Sequence, residues 1–314
     1  MNQTQTATAP AMPLVLFRLL RPRQWTKNFI AFAPALFAGK LFDPQVILHT
    51  SMCVVALCLV SGSVYVFNDC LDVEADRKHP TKCKRPLASG LVSVRTAALV
   101  GGLALLSSLV LAYITRPALS LVLLAYLLLQ VAYTARLKHR VILDAFCIAA
   151  GFVLRALAGG AAAHVQLSAW FLLCTSLGAL FLALEKRRQE FRLLGADAAS
   201  HRKVLGKYSP ELLDRMEATI VPSLLTAYAF YSFQSQYGQW MMITVPMVLY
   251  GILRYQVLSV RENSTGSPEE VLLKDRPIQT TVLLWLLACI SVVYGWLPSL
   301  TSWLVHSMDH MRFN

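Results

Sequence analysis

The run 68-NDCLDVEADRKHPTKCKRPLASG-90 carries three aspartates and an asparagine at positions that a single helix would align. At about 100° per residue, Asn68, Asp69, Asp72 and Asp76 fall within an arc of about 100°, while Glu74 points elsewhere. Three carboxylates and an amide on one stripe repel one another unless a cation neutralises them. An oxygen-only set suits a hard ion, and Mg2+ typically takes a few carboxylates together with substrate phosphates. The cations that follow, Arg77, Lys78, Lys82, Lys84 and Arg85, would then hold phosphate oxygens from the other side. This is the pattern of a metal-bridged diphosphate site. The plainer alternative is a solvated helix end whose acids balance the neighbouring cations.

The elements that must position this stripe belong to a membrane. The 314 residues are 56% hydrophobic and 15% charged, with mean hydropathy +0.53, against about 45–50% apolar and about 25% charged in soluble domains. That balance excludes a disordered chain, a collagen-like repeat, a small disulfide scaffold and a soluble globule. About 20 apolar residues cross roughly 30 Å of hydrocarbon. Nine stretches qualify, near 26–43, 46–67, 95–115, 118–135, 142–163, 167–185, 213–234, 239–258 and 278–298. The first is interrupted by Pro34, Gly39 and Lys40, and the seventh opens with Asp214, Arg215 and Glu217. The acidic stripe follows directly on the second. An all-α membrane protein is expected, with an N-terminal cytoplasmic segment at 1–20 and a single transmembrane domain over 21–314.

A formal net charge of +12 would suggest nucleic acid in a soluble protein. Here position explains it. With the amino terminus inside, inward loops hold Arg21, Arg23, Lys27, the 77–95 cluster, Arg136, Lys138, Arg140, the cations of 186–207, Arg261, Lys274 and Arg276. The outward side keeps Lys40, Arg116 and Arg312. This is the positive-inside pattern; it places the carboxyl terminus outside, and no nucleic-acid partner is needed. The start lacks the basic region and cleavage site of a signal peptide. The seven cysteines show no metal-type spacing and read as small hydrophobes.

Further groups gather at the inward face. Lys27 and Asn28 stand at the mouth of the first candidate span, where Arg21, Trp25 and Lys27 also read as an interfacial anchor. Tyr133, Arg136, Lys138 and Asp144 flank the turn after the fourth span. Asp144 and Arg155 share a helix face about three turns apart, too far for easy direct pairing. Arg155 therefore lies inside the membrane, where a charge usually faces a cavity; a structural ion pair is the alternative. In 185-EKRRQE-190, Lys186 and Glu190 stand at i, i+4, which a local salt bridge also explains. Spans one, two, five and six could enclose an apolar groove below this rim. That layout suits an enzyme joining a water-soluble phosphate compound to a lipid chain.

NDxxDxxxD after a second span of nine resembles the UbiA superfamily of intramembrane prenyltransferases, and the resemblance covers nearly the whole chain. It implies a nine-helix bundle around a central cavity opening to the cytoplasmic face, with Mg2+ and a diphosphate held by aspartate-rich motifs. The first motif matches as Asn68, Asp69, Asp72 and Asp76, implied metal ligands with the three aspartates catalytic. The second, DxxxD in aromatic-acceptor members, reads Lys186–Glu190 here. With RPRQWTKN, YTARLKHRVILD, GFVLRALAGG and HRKVLGKYS, the chain looks like the decaprenyl-phosphate phosphoribosyltransferase branch. That implies transfer of 5-phosphoribose from 5-phosphoribosyl diphosphate (PRPP) to a polyprenyl phosphate in a bacterial inner membrane, towards lipid-linked arabinose for the cell envelope. Lys27, Tyr133 and Lys138 become candidate catalytic groups; Lys78, Lys84, Arg85, Asp144 and Arg155 become substrate-binding candidates, with Lys186, Arg187 and Glu190 at the sugar-phosphate end. The acceptor is already an ionised phosphate, in keeping with the lack of a Ser–His constellation among the seven histidines. Two other readings stay open. One is a prenyl diphosphate donor alkylating an aromatic acceptor such as 4-hydroxybenzoate, which usually needs the second DxxxD. The other is a transporter using Asp144 and Arg155, although no inverted repeat is evident. A homo-oligomer is also open.

Overall fold

A computed structural model describes residues 11–78, 81–194, 207–260 and 274–300. Eleven α-helices are numbered here in chain order: α1 Met12–Leu19, α2 Ala33–Phe37, α3 Pro44–Leu71, α4 Val73–Lys78, α5 Val94–Thr115, α6 Pro117–Ala135, α7 Leu143–Ala163, α8 Ala169–Leu194, α9 Pro210–Gln234, α10 Val245–Val260 and α11 Arg276–Val293. Among the described residues there is no β-strand. Helix starts follow local chemistry. Asp43, Ser93, Ser209 and Asp275 each accept a backbone N–H from the first turn of the helix they precede. Pro44, Pro117, Pro210 and Pro277 occupy the first turn, where no N–H is needed.

Among the described residues, seven helices are long and apolar enough to cross a membrane: Pro44–Leu71, Val94–Thr115, Pro117–Ala135, Leu143–Ala163, Ala169–Arg192, Gly238–Ser259 and Arg276–Val293. The protein is multi-pass. Seven of the nine expected stretches are thus accounted for, and two differ. Residues 26–43 form no continuous helix: a 3-10 helix over Pro22–Phe32 runs into the five-residue α2. Residues 213–234 lie in α9, 25 residues long, but its first turns carry Glu211, Asp214, Arg215 and Glu217. The segment 1–20 contains α1, whose Val15 and Leu19 are buried against Val66, Leu87, Val92 and Ala97. Arg202, Lys203, Arg261, Arg312 and the carboxyl terminus lie outside the described residues.

Neighbouring helices pack in chain order, α5 on α3, α7 on α6, α8 on α7 and α9 on α8, with α10 beside α11. The lipid-facing surface is apolar, as Leu99, Leu103, Leu106 and Val110 on α5 and Leu121 and Leu128 on α6 show. Helix α7 is central and lined with small buried residues: Ala149, Ala156, Ala158, Gly159, Gly160 and Ala162. Such residues let backbones approach closely. A Cβ at Gly159 would overlap the carbonyl of Ala31, so the 3-10 segment lies directly on α7. That contact brings Lys27 and Asn28 beside Arg155.

Candidate active site

A cavity of about 460 Å3 opens between the 3-10 segment, α3, α6, α7 and α8. Its cationic lining is Lys27, Arg155, Lys186 and Arg187, with Asn68 at the end of α3, and among the described residues no carboxylate lines it. Six expected residues meet here: Lys27, Asn68, Tyr133, Arg155, Lys186 and Arg187.

Arg155 is buried and fully oriented. Its Nε donates to Asn28 Oδ1 at 2.8 Å, Nη1 to the Gly151 carbonyl at 3.0 Å and Nη2 to the Tyr126 hydroxyl at 2.7 Å. Its guanidinium also lies over the Tyr126 and Phe152 rings, 4.8 and 5.4 Å from their centroids, which favours the cation electrostatically. Asn28 is fixed in turn by donating from Nδ2 to Cys58 Sγ at 3.2 Å. Asp144 does not pair with Arg155, as the spacing anticipated. It is fully buried beneath Arg187, accepting from Arg187 Nε at 2.9 Å and from the Tyr208 hydroxyl at 2.8 Å. Arg187 Nη1 also donates to Glu190. Tyr208 accepts the N–H of Ile142 at 2.9 Å. Ile142 has φ 70°, a costly conformation for a β-branched residue. Burial pushes the Tyr208 phenol up to about 12, so it remains a donor to Asp144 at neutral pH.

The acidic stripe stands next to this cavity. Helix α3 ends at Leu71 and α4 starts at Val73, yet i→i−4 bonds continue from Asp72 N to Asn68 O at 3.0 Å and from Asp76 N to Asp72 O at 2.8 Å. The helical spacing is therefore kept. Asn68 lines the cavity and Asp72 is exposed. Asp69 and Asp76 are 5% and 4% exposed and turn towards arginines. Arg85 Nη1 reaches Asp69 Oδ1 at 3.1 Å and Asp76 Oδ2 at 2.6 Å, and Arg21 Nη2 reaches the same Asp69 oxygen at 2.5 Å. Lys82 lies 3.9 Å from Asp76. Among the described residues, no three His, Cys, Asp or Glu side chains are arranged to hold a metal. The donor chemistry fits a hard cation, with Asn68 and Asp72 towards the open side and two carboxylates engaged by guanidinium.

Outside the cavity lining, Lys78 and Lys84 are exposed, and Lys138 is half-buried in a short 3-10 turn after α6. Trp25 donates to the Leu20 carbonyl at 3.0 Å and meets the Phe17 ring edge-on. Sequence reasoning overlooked Ser61, Tyr65, Tyr126 and Gln130, all lining the cavity. The signal was present: Ser61, Tyr65 and Asn68 on α3, and Tyr126, Gln130 and Tyr133 on α6, are polar i, i+4, i+7 stripes in apolar spans.

Fold and site together define a multi-pass, all-α membrane protein with one cation-lined cavity bordered by an acidic stripe. Residues 28–274 match the model of the UbiA prenyltransferase family, and the chain belongs to that family. It is 36% identical over 302 residues to the decaprenyl-phosphate phosphoribosyltransferase of Mycolicibacterium smegmatis, covering 91% of this chain and 95% of that one. Identity to the Mycobacterium tuberculosis protein of the same name is 35% over 287 residues, covering 89% and 95%. A UbiA homolog from Archaeoglobus fulgidus bound to DMAPP and Mg2+ shares the fold with a TM-score of 0.69, at 19% identity, covering 89% of this chain and 99% of that one.

Proposed function

We propose that this protein is a Mg2+-dependent decaprenyl-phosphate phosphoribosyltransferase. It transfers 5-phosphoribose from PRPP to a polyprenyl phosphate, giving polyprenylphosphoryl-5-phosphoribose and diphosphate. The observation that carries this reading is the 35–36% identity to phosphoribosyltransferases across about nine tenths of the chain. The cavity supports it, because Lys27, Arg155, Lys186 and Arg187 in its lining can meet phosphate oxygens.

In this reading a phosphate oxygen of the lipid attacks C1 of ribose, the C1–O bond to diphosphate breaks, and the electron pair leaves with diphosphate. Asn68, Asp69, Asp72 and Asp76 hold Mg2+, which when bound supplies positive charge to the departing oxygens. Lys186 and Arg187, with Glu190 fixing Arg187, hold the sugar-phosphate end. Arg155 and Lys27 bind phosphate or ribose oxygens deeper in the cavity, Asp144 holds Arg187, and Tyr133 and Lys138 contact the ribose side. Lys78, Lys84 and Arg85 attract and hold the diphosphate at the rim. The acceptor arrives ionised, so no general base is required. The rim faces the cytoplasm, where PRPP is soluble, and the chain sits in the bacterial inner membrane with its amino terminus inside and its carboxyl terminus outside. The product serves lipid-linked arabinose in envelope synthesis.

The test is diphosphate release by purified protein in detergent with PRPP, Mg2+ and decaprenyl phosphate. A phosphoribosylated lipid should form, EDTA should abolish it, and Asp72→Asn should lower turnover by about 100-fold or more. No turnover with these substrates, but alkylation of 4-hydroxybenzoate by a prenyl diphosphate, would replace this reaction with the aromatic one.

A further inference from the structure

The acids best placed to hold a metal are not free to do so. Asp69 and Asp76 are almost wholly buried, and each is met by a guanidinium: Arg85 bridges both through Nη1, and Arg21 shares the Asp69 oxygen. A hydrated cation arriving alone must displace these arginines and leave two cations without counterions. The arginines themselves are accessible, with side chains 27% and 29% exposed against 7% and 5% for the carboxylates. Arg21 is also held in a definite pose. It has φ 52° just before Pro22, and its guanidinium lies 4.7 Å over the ring of Tyr65, a cavity-lining residue. Arg21 therefore spans from a buried carboxylate to a residue of the cavity lining, and Arg85 bridges the two buried carboxylates.

We propose that Arg21 and Arg85 are exchangeable counterions: diphosphate draws the two guanidinium groups off Asp69 and Asp76, and the released carboxylates pass to the metal. This rests on the reading above that diphosphate and Mg2+ meet at the acidic stripe. A planar guanidinium binds phosphate oxygens as readily as carboxylate oxygens, in a fork geometry. The exchange keeps every charge paired: arginine with phosphate, carboxylate with metal. Metal and diphosphate then bind as a coupled pair, each favouring the other by the same factor. Arg21, whose sequence position suggested only an interfacial anchor, becomes a positioning residue for the metal site.

The coupling is readable without turnover. Full-length protein in detergent is titrated with Mn2+ alone, followed by electron paramagnetic resonance, and separately with inorganic diphosphate in EDTA, followed by calorimetry. Arg85→Gln should tighten Mn2+ binding about tenfold, and Arg21→Gln by a smaller factor, because carboxylates are released. Asp76→Asn should tighten metal-free diphosphate binding about tenfold, because Arg85 then keeps only Asp69 as its counterion. A structural tether predicts the reverse: removing an acid of the stripe would weaken diphosphate binding or leave it unchanged. Arg85→Lys, which keeps a charge but cannot reproduce the fork, gives an intermediate Mn2+ affinity and serves where the glutamine variant unfolds. Unchanged Mn2+ affinity in Arg85→Lys or Arg85→Gln, or diphosphate binding that Asp76→Asn does not tighten, overturns the exchange. Tightening in both titrations without any transfer from PRPP would instead uphold the exchange and remove the proposed reaction.

Discussion

Lys186, Arg187 and Arg188 are consecutive on α8, yet they serve two ionic clusters of opposite character. Lys186 and Arg187 line the cavity with Lys27 and Arg155, and among the described residues no carboxylate shares that lining. Arg188 points to the other side of the helix. There its Nε meets Glu185 Oε1 at 3.1 Å, Nη1 meets Asp214 and Nη2 meets Glu217, whose other oxygen accepts from Gln256 Nε2 at 2.7 Å. One side gathers cations around empty space. The other gathers three carboxylates around one guanidinium and ties α8, α9 and α10 together. A count of charges at this end of the bundle does not separate the two; the sign left over beside a cavity does. Excess positive charge attracts phosphate, whereas the Arg188 cluster repels it and works as a tie.

The pair Lys186→Met and Arg188→Met tests this division most sharply. Lys186→Met should lower kcat/KM for PRPP by about 100-fold, the scale of losing one donor to developing charge, with little change in thermal unfolding. Arg188→Met leaves acids uncompensated, two of them buried, and should cost about 3–5 kcal/mol of stability. Its turnover per folded molecule should stay within about threefold of the parent. Turnover normalised to folded protein and unfolding in the same detergent give both numbers. An Arg188 variant that is stable but inactive would break the comparison.

Arg187 sits on the boundary, since it lines the cavity and also neutralises the fully buried Asp144. Arg187→Met alone should be destabilised by several kcal/mol for the same reason as Arg188→Met. Replacing both partners, Arg187→Met with Asp144→Leu, removes the unpaired charge and should recover most of that loss. If Arg187 also holds phosphate, kcat/KM stays about tenfold or more below the parent despite the recovered fold. Recovery of both would move Arg187 wholly to the structural side.

Much of the fold and part of the candidate site were legible in the sequence, though unevenly. Apolar length marked α3, α5 to α8, α10 and α11, because a bilayer demands about 20 such residues whatever the neighbours do. It misled at 26–43, where the 3-10 path depends on Gly159, a residue far away in the chain whose missing side chain admits the Ala31 carbonyl. The acidic stripe was legible because helical spacing is local. Of its arginine partners, Arg85 stood among the neighbouring cations, but Arg21 lies 48 residues from Asp69, just as Asn28 lies 127 from Arg155. An interior arginine could be recognised as facing a cavity, but what holds it had to be seen. Arg187 and Arg188 are alike in sequence, and only the placement of α7, α9 and α10 tells them apart.

Tyr208 sharpens the cavity side at its smallest scale. Its hydroxyl accepts from Ile142 N and donates to Asp144, so it supports both the strained start of α7 and the carboxylate under Arg187. Tyr208→Phe keeps the ring but leaves a backbone N–H and a buried carboxylate oxygen each short of a partner. A cost of about 1–3 kcal/mol is expected, with kcat/KM reduced only a few-fold because Arg187 still pairs with Asp144 and with Glu190. The pH dependence gives the signature. The folded phenol is raised to about 12 by burial, against about 10 when unfolded, so the folded state favours the protonated form. That contribution is complete below about pH 10 and is lost as pH rises towards 12. Wild-type stability should therefore fall across that window more steeply than that of Tyr208→Phe. Parallel curves for the two proteins would place the Tyr208 hydroxyl outside the network that sets Arg187.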